Sequence, residues 1–177
     1  IYQQLNIVPQ VKTINHAQKL IIKKNNAPSI SFENVSFGYD PKLPVLSNIN
    51  FFIKPCSKVA IVGQSGAGKS TILNLISRFF DPLSGHIFID NQDIRKVNIF
   101  SLRNKIALVS QETIIYNKNF LENIRFGNLE ATEEQIIEAS KIAGIDKFIQ
   151  STLDGYNTVL GESGNKLSGG QRQRISI

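Results

Sequence analysis

The chain is expected to fold as an α/β domain with a parallel core, an antiparallel β portion before that core and an α-helical portion after it. Three observations predict this. Between residues 30 and 53, apolar residues alternate with polar ones at Ile30, Phe32, Val35 and Phe37, and again at Ile49, Phe51 and Ile53, which is the pattern of strands with one solvated face. The run KVAIV (58–62) is apolar without alternation, as in a strand covered on both sides in a parallel sheet. Beyond residue 111 the apolar residues recur at helical spacing.

Composition supports a globular chain. Hydrophobic residues make up 41% of 177, enough for one compact domain burying roughly 70% of its unfolded surface. A net charge of +6 could suit nucleic acid or an anionic membrane, but the basic residues (Lys12, Lys19, Lys23, Lys24, Lys54, Lys58) are scattered with no aromatics interleaved. The sole cysteine, Cys56, allows no internal disulfide, fits a reducing compartment and reads as a small packing residue. No signal peptide is evident, and no window approaches the ~20 apolar residues that span a bilayer. The first residue is Ile1 and the last residues run along a helical pattern, so the chain is expected to be a piece of something longer.

Residues 1–27 are rich in Asn, Gln and Lys, punctuated by Pro9 and Pro28, and are expected to be an arm or linker with little function of its own. Antiparallel strands follow over residues 28–57, broken by the Asp40-Pro41…Pro44 turn. The strand KVAIV runs directly into GQSGAGKST (63–71), and Ile72, Leu73, Leu75, Ile76 and Phe79 then predict a helix over 70–80 that stops at Asp81-Pro82. HIFID (86–90) and IALVS (106–110) are further strand candidates, separated by a turn at Asn91-Gln92-Asp93 and a short helix near 100–103. This stretch, 58–110, is the expected core. The helical portion, 111–170, has segments at 120–124, at 132–144 and near 146–150. The second opens with the capping-box spacing Thr132-x-x-Gln135, closes at Gly144 and buries a stripe of Ile136, Ala139, Ser140 and Ala143. A last helix begins over 171–177.

GQSGAGKS fits G-x-x-x-x-G-K-S/T at Gly63, Gly68, Lys69 and Ser70, in the context of a strand before and a helix after. Gly63, Gly66 and Gly68 free the backbone so that successive N–H groups, with those of Gln64, Ser65 and Ala67, converge on phosphate oxygens. Lys69 is expected on the β- and γ-phosphates, Ser70 on Mg²⁺ and Thr71 near the α-phosphate. A mononucleotide triphosphate with Mg²⁺ is the ligand this pattern predicts. Asp90 lies about twenty residues on, but a dinucleotide site would need G-x-G-x-x-G and no Lys-Ser pair. Asp90 is assigned to a surface turn, and His16 and His86 fit no metal or triad spacing.

A second glycine motif, KLSGGQRQR (166–174), lies roughly a hundred residues later. It resembles the signature motif of ATP-binding cassette (ABC) proteins, and the resemblance spans residues 29–177. VSFGY (35–39) is similar to the adenine-stacking loop, with Tyr39 as the ring, and LVSQE (108–112) to the glutamine loop, with Gln111. FLENIRFGN (120–128) and TVLGESGNKLSGG (158–170) are most similar to the exporter branch, of the lipid A and multidrug exporter kind. The resemblance implies a P-loop NTPase fold with an incomplete RecA-like parallel core, an antiparallel β subdomain and a helical signature subdomain.

It also implies the roles. Two cassettes face each other head to tail, and Ser168, Gly169, Gly170 and Gln171 of one cover the ATP on the P-loop of the other. Lys69, Gln111 and Ser168 would serve catalysis, with Ser70 and Gln111 at the metal. Glu162 and Ser163 fall where exporters relay contact to a membrane domain, N-terminal in the same polypeptide, which would place the cassette on the cytoplasmic face of a membrane. The family's Asp-Glu strand and switch histidine do not occur in the 177 residues, so this piece is expected to bind ATP without turning it over and, with an apolar sheet edge uncovered, to be marginally stable. The competing readings are a nucleic-acid-acting cassette ATPase of repair or translation, disfavoured by the lack of sustained heptads between the motifs, and an inactive truncated product.

Overall fold

The computed structural model describes residues 11–22, 27–110 and 112–177. The chain divides into two compact units, Ile1–Ala107 and Leu108–Ile177.

The first unit is built on a four-stranded antiparallel sheet. Strands β1 (Ile30–Phe37), β2 (Leu46–Ile53), β3 (Ser84–Ile89) and β4 (Gln92–Asp93) stand in the order β2-β1-β3-β4. The alternation at 30–37 and 49–53 thus becomes one central strand and one edge strand, with Ile30 opposite Ile53 and Phe32 opposite Phe51. The two rings of the latter pair stack at 4.4 Å. HIFID belongs to this sheet and not to a parallel core: β3 runs antiparallel to β1, Ile87 opposite Phe32. Asp90 and Asn91, at φ 47° and 61°, make the tight β3–β4 turn, and the Asp90 carboxylate accepts the Ser29 N–H at 2.8 Å.

Helix α1 (Lys69–Ile76) and the short helix α2 (Ile99–Arg103) complete this unit. The core gathers Phe32, Val35, Phe37 and Ile87 from the sheet with Leu75 from α1 and Leu102 from α2. Helix α1 ends four residues earlier than its apolar spacing predicts, because Arg78 takes a left-handed conformation (φ 50°). Leu73, within the helix, and Phe79, beyond its end, are both exposed.

Four expectations are corrected here. Residues 58–62 do not form a covered parallel strand: among the described residues nothing pairs with them, and Val59, Ile61 and Val62 are exposed, Val62 by 88%. An apolar run is buried only where neighbours exist to bury it. Residues 106–110 are likewise unpaired, with Leu108 and Val109 exposed. The arm, in contrast, is part of the unit. Leu20 is buried in the core, and the Ile21 backbone exchanges two hydrogen bonds with the Gln92 amide, at 3.0 and 2.7 Å. Gln18 bridges Val97 and accepts the Asn98 N–H at 2.8 Å. Residues 1–10 and 23–26 of the predicted arm lie outside the described residues. Cys56 does not pack: it is exposed in a turn at φ 56°.

The second unit is helical: α3 (Phe120–Arg125), α4 (Glu133–Ile142), α5 (Asp146–Gln150) and α6 (Gly169–Ser176), with single 3₁₀ turns at Gly155–Asn157 and Glu162–Gly164. The capping box of α4 forms as its spacing predicts. The Thr132 hydroxyl accepts the Gln135 N–H, and the Gln135 side chain accepts the Thr132 N–H. Ile136 and Ser140 point inward, whereas Ala139 is exposed. Ile115, Phe120, Ile145, Ile149 and Leu160 form the core together with Leu167 and Ile175, which flank the signature glycines. Beneath them the buried Asn123 amide donates to the carbonyls of Tyr116, Lys118 and Asn119 and accepts the Tyr116 N–H at 2.8 Å, satisfying a loop that would otherwise bury orphaned backbone groups.

Candidate functional site

Helix α1 opens at Gly68, in the left-handed region at φ 83°, and Gly68 supplies no side-chain cap. The N–H groups of the first turn of a helix have no acceptor inside it, so those of Lys69, Ser70 and Thr71 are left for a ligand. No other residue suits position 68. A Cβ there would lie 2.7 Å from Leu46 Cδ2, on a backbone that L side chains rarely adopt. Gly66 shares the left-handed conformation (φ 81°), and the Ala67 N–H donates to the Gln64 carbonyl, tightening the loop. The Lys69 ammonium folds over it, donating to the carbonyls of Gly63 (3.0 Å) and Gln64 (2.6 Å). A positive charge, an uncapped helix terminus and a turn of bare amides therefore lie within one short stretch, which is an anion-binding arrangement. Gly63, Gln64, Ser65, Gly66, Ala67 and Ser70 are exposed around it.

Tyr39 stands beside this helix. It is 56% exposed, and its ring meets Phe37 at 5.1 Å and Phe80 at 5.2 Å, both near perpendicular. Its hydroxyl accepts from the Asn74 amide at 3.3 Å and lies 3.4 Å from the hydroxyl of Thr71. Thr71, expected near a phosphate, is buried with its hydroxyl beside that of Tyr39.

In the second unit the signature turn is preformed. The Ser168 hydroxyl accepts the Gln171 N–H at 3.2 Å, and the Gln171 side chain accepts the Ser168 N–H at 2.8 Å, a complete capping box at the head of α6. The Ser168 oxygen is thus engaged as an acceptor while its proton can be donated outward, next to the exposed Gly169 and Gly170. Gln171 serves the cap. Arg172 donates to the Leu167 carbonyl at 2.7 Å, bracing the turn from behind. Glu162 is exposed, and Ser163 adopts φ 53° within the 3₁₀ turn. Gln111 lies outside the described residues.

Other titratable groups have structural partners. His86 stacks on Phe88 and its Nδ1 lies 2.8 Å from the Asp93 carboxylate. Burial would raise the Asp93 pKa, but the hydrogen bonds from His86 and from the Arg95 N–H and guanidinium outweigh it and hold the carboxyl below its usual value. Sequence reasoning missed Asn74 and Arg78. Arg78 is 2% exposed. Its guanidinium donates to Asp81 (2.8 Å) and to the carbonyls of Ile94 (3.0 Å), Val97 (3.4 Å) and Lys12 of the arm (3.1 Å). A helical arginine ordinarily reads as a surface residue; the only hint was its place between an apolar helix and Asp81-Pro82.

Comparison with known proteins agrees with this geometry. The profile of the ABC transporter family matches residues 46–177. The chain is 46% identical, over its whole length, to the mitochondrial iron-sulfur clusters transporter ATM1 of Debaryomyces hansenii, covering 26% of that protein. It is 44% identical to the ATP-dependent lipid A-core flippase of Syntrophus aciditrophicus, again over its whole length and covering 29% of it. A bacterial Atm1-family ABC exporter solved with ATP bound superposes with a TM-score of 0.93 at 40% identity, over 99% of this chain and 30% of that one. The chain thus spans between a quarter and a third of the length of these three proteins, and no helix among its described residues is long and apolar enough to cross a membrane. A family profile matching both glycine motifs, relatives alike along the whole of this chain and a shared fold lead to one conclusion: the chain belongs to the ABC transporter family.

Proposed function

We propose that the chain is the ATP-binding cassette of an ABC exporter. It holds ATP on residues 63–71, closes against a second cassette and couples binding and hydrolysis to movement of cargo through an attached membrane domain. The observation that carries this reading is the uncapped N-terminus of α1, with the Lys69 ammonium held over the loop by the Gly63 and Gln64 carbonyls. On binding, the ammonium would exchange these carbonyls for β- and γ-phosphate oxygens, and the free amides would take up the remaining charge. Tyr39 would stack on the adenine.

The exposed Ser70 hydroxyl, together with Gln111, would hold Mg²⁺, which when bound neutralises charge on the phosphate oxygens. Ser168, Gly169 and Gly170 would approach the γ-phosphate of a partner cassette, a copy of this chain or a similar one, while Gln171 keeps the turn in shape. The base that activates water for hydrolysis would come from outside these 177 residues. Glu162 and Ser163 would relay closure to the membrane domain on the cytoplasmic side of the membrane. The names of the relatives span iron–sulfur clusters and lipid A-core, so the feature shared with this chain is the cassette, and cargo would be chosen in the membrane domain.

The test is equilibrium ATP binding to the whole polypeptide and to its Lys69→Ala variant. A charge-assisted hydrogen bond is worth about 1.5–3 kcal/mol, so the variant should bind ATP on the order of 10- to 100-fold more weakly. Equal affinities would remove the assignment.

A further inference from the structure

Resting on the reading that Tyr39 carries the base, we infer that Asn74 is the positioning residue that sets the Tyr39 ring relative to the phosphate-binding helix. The ring is held at its sides and at its tip by different means. At the sides, Phe37 and Phe80 meet it near perpendicular, at 83° and 88°. Such edge contacts fix a tilt but tolerate sliding and rotation, since aromatic pairs are comfortable over centroid separations of about 4.5–7 Å. At the tip the hydroxyl accepts from the Asn74 amide and lies against the Thr71 hydroxyl, and this contact is directional.

Both partners of the tip lie on α1. Thr71 occupies its first turn, three residues after Gly68, and Asn74 follows one turn later. They share the face that neighbours three residues apart present together. The loop that grips phosphate and the ring proposed to grip the base are therefore tied to one rigid element. A nucleotide has a fixed span from base to triphosphate, so that tie governs whether both ends can be held at once. Asn74 touches neither end: it acts through the ring.

The experiment measures ATP and inorganic tripolyphosphate binding to the whole polypeptide and to Asn74→Leu, Tyr39→Phe and the double variant. Asn74→Leu removes the donor at similar size, and Tyr39→Phe removes the acceptor while keeping the ring. Each should weaken ATP by about three- to tenfold, the worth of one net hydrogen bond, and leave tripolyphosphate, which has no base, unchanged. The double variant should lose no more than Tyr39→Phe alone. An unchanged ATP affinity in Asn74→Leu, an equal loss for both ligands, or additive losses would each overturn the inference. Lys69→Ala separates it from the wider reading: loss of both ligands there with Asn74→Leu unaffected removes only the tether, whereas retention of both removes the phosphate site itself.

Discussion

Two helices of eight residues begin at glycine-bearing turns, and they solve the same problem in opposite ways. Helix α1 starts at a left-handed glycine with no cap, so its first amides stay open. Helix α6 starts at Ser168 inside a complete capping box, so its geometry is fixed by four consecutive residues. The strand expected to lead into α1 is unpaired, and the far end of that helix is anchored by Arg78 to carbonyls 16, 19 and 66 residues away in sequence. The turn before α6 instead rests on Leu167 and Ile175 in its own core. On the proposed function, a site for the chain's own ligand can stay open and lean on remote packing until the ligand arrives, whereas a surface for a partner gains from being in shape beforehand, because ordering it on contact would weaken the interface.

The largest expected effect breaks the remote half of this comparison. Arg78→Met leaves three carbonyls without their donor and Asp81 without its cation, and should cost about 3 kcal/mol of stability. The loss would show as a lower midpoint in urea and as faster proteolysis within residues 11–22, whose Lys12 carbonyl it releases. An unchanged midpoint would mean that the arm is held without Arg78, by Leu20, Gln92 and the Gln18 backbone.

Next in size is Gly68→Ala, which places a Cβ against Leu46 on a left-handed backbone. A non-glycine residue in that conformation costs about 1–2 kcal/mol before any steric clash is counted. Thermal melting should fall accordingly, and nucleotide binding should weaken with it. A stable variant with full ATP affinity would show that the loop takes another path around this position.

Much of this was legible beforehand, for reasons that differ by residue. Alternation marked β1 and β2 because each has one wet face, and Thr132 with Gln135 marked the start of α4 because a cap is a local device. The glycine spacing of 63–70 marked the open start of α1, because a left-handed glycine with no side-chain cap is a local device too. Illegible features were those whose cause lies far along the chain. KVAIV reads as buried because its residues are apolar, but burial belongs to neighbours. The arm reads as a linker because its polar residues hide the one that packs, Leu20. Asn74 looks like any polar residue on a helix until Tyr39, 35 residues earlier, is seen at its amide.

The smallest effect sharpens the comparison most, because it has the opposite sign. At Gly170 an added Cβ would meet nothing within 4 Å, and the backbone carries no left-handed strain. Alanine in a helix is favoured over glycine by about 0.8–1.0 kcal/mol in the interior, and somewhat less in the first turn. Gly170→Ala should therefore raise the melting temperature of the chain slightly, where Gly68→Ala lowers it. The fold requires the glycine of α1 and merely tolerates the glycine of α6. What Gly170 supplies is a bare amide that another molecule can approach without meeting a side chain, which is the property a trans-acting turn needs. The variant should thus keep the ATP affinity of the single polypeptide while losing ATP-dependent pairing of cassettes, measured by size-exclusion chromatography. Undiminished pairing in Gly170→Ala would count against this turn as the partner-facing surface, even with the capping box intact.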